Sequence, residues 1–340
     1  MEPVHVLVSA KVTAEQLARM RGLDPRLIIH GEPGGFAIMH ASEVDYKGID
    51  YPDERPDVDV ESLVGQAEVI IATRIPNNLL DRARHLRWLQ FTSAGIDHLW
   101  KPGLDRGTVI VTSAKSIHGI PISEFVMGCM LFFAKGMARM QQQQRERVYK
   151  KFLIEELFGK TVVLIGVGEL GTAVARRSKA FGMRTVGVRR KPGREGIDPS
   201  MDDVVQIERM GEALGHADYV VSSLPLTDRT RAVLDERFFR AMKPSGIFIN
   251  VGRGKAVHEA SLVRALQDGW IAGAGLDVYE QEPLPADSPL WDMPNVLMSP
   301  HMCGDTSLYM ERFTDILCDN LLRYAEGRPL RNVVDPKEKY

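Results

Sequence analysis

Gly166-Val167-Gly168-Glu169-Leu170-Gly171 follows directly on the β-branched run Thr161-Val162-Val163-Leu164-Ile165 and opens a stretch at helical spacing, residues 170–181. Three glycines so spaced between a strand and a helix permit a tight turn, close approach of the backbone to a pyrophosphate, and close packing of helix on sheet. The N–H groups and dipole of the helix start then meet the negative charge. A glycine-rich turn without ligand reads the same in isolation, and an S-adenosylmethionine site competes with it. The strands that follow weigh against both. Candidates at 184–188, 219–223, 246–251, 273–278 and 296–299 bring the series to six, with the turn after the first, and helical stretches at 207–214 and 259–267 separate them. Such alternation implies right-handed crossovers and a parallel, dinucleotide-binding sheet.

The first 112 residues form a similar but looser series. Strand candidates lie at 4–8, 68–73, 86–91 and 108–112, with helical stretches at 14–21 and 78–84 between them. Residues 50–61 carry six acids against one Arg and read as a solvated excursion. Residues 122–149 contain no Pro and read as one long helix with a polar tail, 141–147, that bridges the two units or meets a second subunit. A final helix over 306–326 stops at Gly327 with Pro329 close behind. No strand follows it, so it is expected to return to the N-terminal unit. A substrate domain of 1–113 and 303–340 would then enclose an inserted dinucleotide domain, 114–302.

Composition removes several function classes. At 340 residues, 44% hydrophobic and 26% charged, the chain is long enough for two ordinary cores. A net charge of -2 supplies no basic field for nucleic acid or an anionic membrane surface. Cys129, Cys303 and Cys318 fit neither a disulfide framework nor a zinc site, so no metal is expected and a reducing compartment is. The N-terminus lacks a signal pattern, and the longest apolar run, 125–134, falls short of the ~18 residues of a membrane span. The expectation is a cytoplasmic protein with a small-molecule partner.

The second strand of the glycine-turn unit ends where an acid normally binds the adenosine ribose of NAD. Here Arg189, Arg190 and Lys191 stand instead, and from Arg176 through Arg194 there are eight basic residues and no acid. An Arg fork at that corner attracts a 2′-phosphate, so NADP(H) is expected to be preferred and NAD(H) possible. A merely solvated basic loop is the alternative.

Five motifs together carry a resemblance that spans nearly the whole chain. They are the Gly166–Gly171 turn, Leu224-Pro225-Leu226-Thr227 with Thr230, Asn250-Val251-Gly252-Arg253-Gly254, the run 275–283 containing Asp277 and Glu282, and Ser299-Pro300-His301. In this order they resemble the D-2-hydroxyacid dehydrogenases, the group of glyoxylate/hydroxypyruvate reductases and phosphoglycerate dehydrogenase. The resemblance implies an α/β fold of two Rossmann-like domains with a doubly wound parallel sheet in each. It implies hydride transfer between a nicotinamide cofactor and a small 2-keto or 2-hydroxy acid, and a homodimer built mainly on the second domain. Arg253, Glu282 and His301 become the catalytic set. Gly166, Gly168, Glu169, Leu170, Gly171, Leu224, Pro225, Thr230, Val251, Gly252 and Asp277 become cofactor contacts, beside Arg189 and Arg190. Ser93, Ala94 and Gly95 in the run 91–97 become a backbone nest for the substrate carboxylate.

The residue types suit that chemistry on their own account. A keto acid reduced at its carbonyl carbon gains charge on oxygen, so a proton donor such as His301 lowers the barrier. A carboxylate on the far ring nitrogen favours the imidazolium, and a guanidinium holds a substrate carboxylate as a planar fork. Taken singly, each has a plainer reading: a surface Arg, a loop acid, a capping His. Arg74 after the second strand reads as solvated, and packing accounts for Cys303 and Tyr309. Formate dehydrogenases share the fold but pair the His with Gln. Dinucleotide-sensing corepressors retain the trio, so a binding role stays open as the alternative to catalysis.

Overall fold

The computed structural model describes residues 2–39, 57–96, 99–190 and 198–336. The acidic excursion therefore lies outside the described residues over 50–56, as do Asp97, Lys191 and Arg194. In chain order the first elements are β1 (Val4–Val8), α1 (Ala14–Arg21), β2 (Leu27–His30), α2 (Val60–Gln66), β3 (Val69–Ala72), α3 (Leu79–Arg82), β4 (Trp88–Phe91) and β5 (Ile110–Thr112). Then come α4 (Gly119–Ala134), α5 (Met137–Glu146), β6 (Thr161–Ile165), α6 (Glu169–Ala180), β7 (Arg184–Arg189), β8 (Asp203–Gln206), α7 (Met210–Leu214) and β9 (Tyr219–Ser222). The chain closes with α8 (Glu236–Ala241), β10 (Ile247–Asn250), α9 (Glu259–Gln267), β11 (Gly273–Leu276), β12 (Val296–Met298) and α10 (Tyr309–Ala325).

Two compact units result, 1–117 with 306–340, and 118–305. These joints fall a few residues beyond the expected 113 and 302. The first unit holds a parallel sheet in the order β2-β1-β3-β4-β5. The second holds a parallel sheet in the order β12-β11-β10-β9-β6-β7-β8. Both are doubly wound, and each strand order reverses beside its first strand, β1 or β6. Successive side chains of a strand point to opposite faces, so a strand buried on both faces reads as a continuous apolar run. In β6, Val163 and Ile165 join Phe238, Phe239 and Phe248 on one face, while Val162 and Leu164 join Val126 and Met130 of α4 on the other. Burial of each such side chain contributes roughly 1.5–3 kcal/mol before chain entropy is counted. The first unit repeats the device. Leu7 and Ile70 face one layer, and Val6, Val8 and Ile71 face another that includes Phe313, Leu317 and Leu321 of α10.

Three sequence expectations need correction. Strand β2 was not anticipated, although Leu27-Ile28-Ile29 lies between Pro25 and Gly31; four residues are too short a run to stand out. Strand β8, with sequence Asp-Val-Val-Gln and no fully buried residue, makes the second sheet seven strands rather than six. The single helix expected over 122–149 is two, α4 and α5, bent by 60°. The bend is at Gly136, whose φ of +60° is the left-handed conformation that ends a helix. Pro121 sits in the first turn of α4, where its missing N–H breaks no hydrogen bond. Among the described residues no single helix is long and apolar enough to cross a membrane, although the bent pair α4–α5 passes by length and composition taken together. The cysteines are free, with Cys129 and Cys318 buried and Cys303 half-buried.

Candidate active site

The C-terminal edge of the second sheet gathers most of the residues singled out by sequence. Strand β6 delivers the chain into Gly166, whose φ of +106° no L side chain adopts at ease, and a Cβ there would lie 2.9 Å from Ser223 Oγ. A Cβ on Gly171 would collide with the Gly166 carbonyl oxygen, so the helix can start this close to the strand only with glycine. Gly168 caps α6 without a side-chain hydrogen bond, and a Cβ built on it meets nothing within 4 Å. The first-turn N–H groups of a helix have no partners within it. The exposed, uncrowded Gly168 at this helix start leaves room for backbone approach, which fits the pyrophosphate of a dinucleotide. Glu169 is exposed and Leu170 half-buried in that turn.

At the end of β7, Arg189 is half-buried and Arg190 exposed. The fold also brings acids to the basic run: Asp198 pairs with Arg176, and Asp202 takes Lys179 at 2.7 Å. Beyond β9, the segment 224–230 folds on itself, with Thr230 Oγ1 donating to the Pro225 carbonyl at 2.7 Å and accepting from Thr227 N–H at 2.7 Å. Leu224 and Pro225 remain half-buried. Beyond β10, Val251 is buried, and a Cβ on Gly252 would lie 2.7 Å from the Leu224 backbone, so these two loops lie side by side.

Arg253 follows β10 in extended conformation, half-buried, its Nη1 donating to the Gly252 carbonyl at 3.0 Å. Glu282 follows β11 and His301 follows β12, and the fold brings them together: His301 Nδ1 lies 2.7 Å from Glu282 Oε2. The other oxygen, Oε1, accepts from Tyr279 N–H at 3.0 Å, so the carboxylate is held at both ends. His301 itself has a φ of +55°. Such strain persists only where surroundings fix it. His301 N–H donates to the Asp277 carbonyl at 2.8 Å, while Asp277 Oδ1 accepts from Met302 N–H at 2.9 Å, from Cys303 N–H at 3.1 Å and from Ser299 Oγ. Asp277 is 1% exposed, so one buried carboxylate secures the loop that carries His301.

The electrostatics follow from this geometry. The hydrogen bond to Glu282 raises the His301 pKa above its ordinary value, against burial and the positive charge of Arg253. Burial pushes Glu282 upward, but the hydrogen bonds from His301 and Tyr279 N–H and the charges of His301 and Arg253 leave it below the usual carboxylate range. The pair thus favours imidazolium with carboxylate, a donor ready to release a proton.

Two further ionisable groups of this unit were not singled out by sequence. Asp305 is pushed up by burial, and His118, just before α4, is pushed down to about 4 by burial and by the charges of Arg253 and His301. A lone His ahead of a helix and an Asp in a turn have no spacing that marks them.

Ser93, Ala94 and Gly95 belong to the first unit, half-buried just past the C-terminal end of β4, with the Ser93 carbonyl accepting from Ala114 N–H at 2.9 Å. Arg74, expected to be solvated, is only 9% exposed at the end of β3. Tyr309, in the same unit, donates its hydroxyl to the Thr92 carbonyl.

Residues 127–303 match the family model described as D-isomer specific 2-hydroxyacid dehydrogenase, NAD binding domain. The chain is 32% identical over 278 residues to a glyoxylate reductase of Thermococcus gammatolerans, covering 79% of this chain and 81% of that one. A crystal structure of a D-isomer specific 2-hydroxyacid dehydrogenase family protein from Aeromonas salmonicida is similar with a TM-score of 0.79 at 31% identity, covering 99% of this chain and 100% of that one. The NADPH-dependent glyoxylate/hydroxypyruvate reductase of Sinorhizobium meliloti, solved with NADP and sulfate, is similar with a TM-score of 0.77 at 25% identity, each chain covered in full at 100%. A glycine turn fitted to a dinucleotide and a Glu–His pair beside an Arg on the same sheet edge agree with these likenesses: the chain belongs to the D-isomer-specific 2-hydroxyacid dehydrogenases and is an NAD(P)-dependent oxidoreductase.

Proposed function

We propose that this dehydrogenase acts as a reductase of small 2-keto acids, glyoxylate and hydroxypyruvate among them, producing D-2-hydroxy acids with NADPH preferred over NADH. The observation that carries the reading is the 2.7 Å pair of His301 and Glu282 on the same edge as Arg253. The nicotinamide, when bound, supplies the hydride. Arg253 takes the substrate carboxylate as a fork and polarises the carbonyl, and His301 gives its proton to the carbonyl oxygen. Glu282 keeps that proton on the ring until it is needed and balances the imidazolium. Ser93, Ala94 and Gly95 offer the backbone nest suited to a carboxylate. Names borne by similar proteins, glyoxylate reductase and NADPH-dependent glyoxylate/hydroxypyruvate reductase, support the substrate class. Steady-state reduction of glyoxylate, hydroxypyruvate, pyruvate and longer 2-keto acids with each cofactor tests the reading, and turnover of none of them refutes it.

The direction of the His301 shift gives a sharper expectation. A raised pKa keeps the ring protonated to higher pH than an ordinary imidazole, so reduction falls only as pH rises past that raised value. Glu282→Gln removes the negative partner, and the alkaline limb of the kcat/KM profile is expected to move to lower pH. A limb that stays in place breaks the pairing.

Assembly is part of the proposal. Helix α5 buries none of its residues, and the segment after it leaves Tyr149 98%, Leu153 100% and Phe158 76% exposed. Large apolar side chains standing in water along one segment favour burial against a second copy. Light scattering at micromolar concentration is expected to return about twice the 38.0 kDa of one chain, and a value near one chain mass ends the proposal.

A further inference from the structure

Helices α4 and α6 of the second unit run side by side in the same direction. A Cβ built on Gly119, the first residue of α4, would stand 3.6 Å from both Ala173 Cβ and Glu169 Oε1. Further along, Arg177 Nη2 lies 3.6 Å from Glu124 Oε1, and Ser178 Oγ lies 3.8 Å from Met127 Sδ. Their N-terminal ends are therefore neighbours. Each end carries first-turn N–H groups without helical partners and roughly half a positive charge. The start of α6 is also the end that the glycine turn opens to a pyrophosphate. At these paired starts stands the carboxylate of Glu169, the first residue of α6, exposed and with one oxygen beside Gly119. Helix α4 carries no acidic residue in its own first turn. An acid in this place stabilises both helix starts. Toward a dinucleotide its effect reverses, because the phosphates bring negative charge to the same positive ends.

We propose that Glu169 is an affinity-limiting residue of the dinucleotide site. Its carboxylate opposes the pyrophosphate at the paired starts of α4 and α6, so the cofactor is held less tightly and leaves faster than the glycine turn alone would allow. The inference rests on the dinucleotide reading of that turn and is independent of which 2-keto acid is reduced. A dehydrogenase must exchange its dinucleotide in every cycle, and release steps set many turnover rates, so a charge that loosens the spent cofactor shortens a slow step. NADPH and NADH carry the same pyrophosphate. The carboxylate therefore weakens both alike, in contrast to the selectivity proposed for Arg189 and Arg190.

Glu169→Gln, which keeps the size and removes the charge, is the probe. Its dissociation constants for NADPH and NADH, read by fluorescence titration of the full chain, are expected to fall together by roughly three- to tenfold. The rate of NADPH release, followed by stopped-flow displacement, should fall with them. Damage to the fold weakens binding, so a tighter constant cannot come from it. Glu169→Asp, which keeps the charge, is expected to stay close to wild type for both cofactors. Because the carboxylate is exposed, the gap between wild type and the Gln variant should narrow as salt rises. Constants for Glu169→Gln that are unchanged or weaker, or that move for one cofactor only, overturn the assignment of Glu169 while wild-type binding keeps the dinucleotide site standing. Wild-type protein that binds neither dinucleotide overturns both.

Discussion

His301→Gln is expected to lower kcat for 2-keto acid reduction by about 100- to 10,000-fold, the usual contribution of a positioned proton donor. The NADPH dissociation constant, measured by fluorescence titration, should stay close to the wild-type value, because the dinucleotide contacts assigned here lie on other loops, after β6, β7, β9, β10 and β11. The alkaline limb of the pH profile should disappear with the imidazole that produced it. The backbone at this position needs separate treatment, since φ is +55° and any replacement inherits the strain. Asn tolerates the left-handed region better than most residues. His301→Asn is therefore the matched control, and both variants should fail alike if the loss is that of the proton donor. Near wild-type turnover in either one removes His301 from the mechanism.

Arg189→Asp combined with Arg190→Gln is expected to raise KM for NADPH by tens- to hundredsfold and to change KM for NADH far less. A charge-assisted contact to a 2′-phosphate is worth roughly 1.5–3 kcal/mol before solvent screening, and each ~1.4 kcal/mol is about tenfold. The acid introduced at 189 adds repulsion against the phosphate and an acceptor for ribose hydroxyls, so specificity moves by both routes. Because Asp198 and Asp202 already engage Arg176 and Lys179, those outlying cations cannot make good the loss. Arg190 is exposed, so the wild-type preference should also shrink as salt rises. Kinetics with both cofactors at low and high ionic strength measure all of this. A wild-type preference for NADH, or a double variant with unaltered NADPH kinetics, reduces the two arginines to a solvated corner.

What the sequence made visible, and what it hid, divides along physical lines. Buried parallel strands are apolar on both faces, so β6, β9 and β10 stood out as unbroken runs. Strand β8 escaped because it is half-exposed and flanked by acids, with the same composition as a loop. Gly136 looked like one small residue within a helical stretch; its backbone turns left-handed there, and Phe152 packs where a Cβ would point, a long-range contact that local sequence does not record. The trio was proposed through the motifs that carry the resemblance, and each member follows a strand end. His118 escaped, since its nearness to Arg253 and His301 is set by folding. So did the three donors gathered on Asp277 Oδ1, two of them backbone N–H groups to which a residue's identity is no guide.

Cys303 lies two residues from the proton donor, where an exposed thiolate would be open to peroxides and alkylating agents. Burial, and the negative charge of Asp277 after it, push its thiol pKa far up. Burial takes Cys129 up to about 12 and raises Cys318 as well. The thiolate is the nucleophilic form of cysteine, and at neutral pH these side chains hold almost none of it. The carboxylate that secures the His301 loop therefore has a second effect: together with burial, it keeps the adjacent sulfur in its protonated, weakly nucleophilic form.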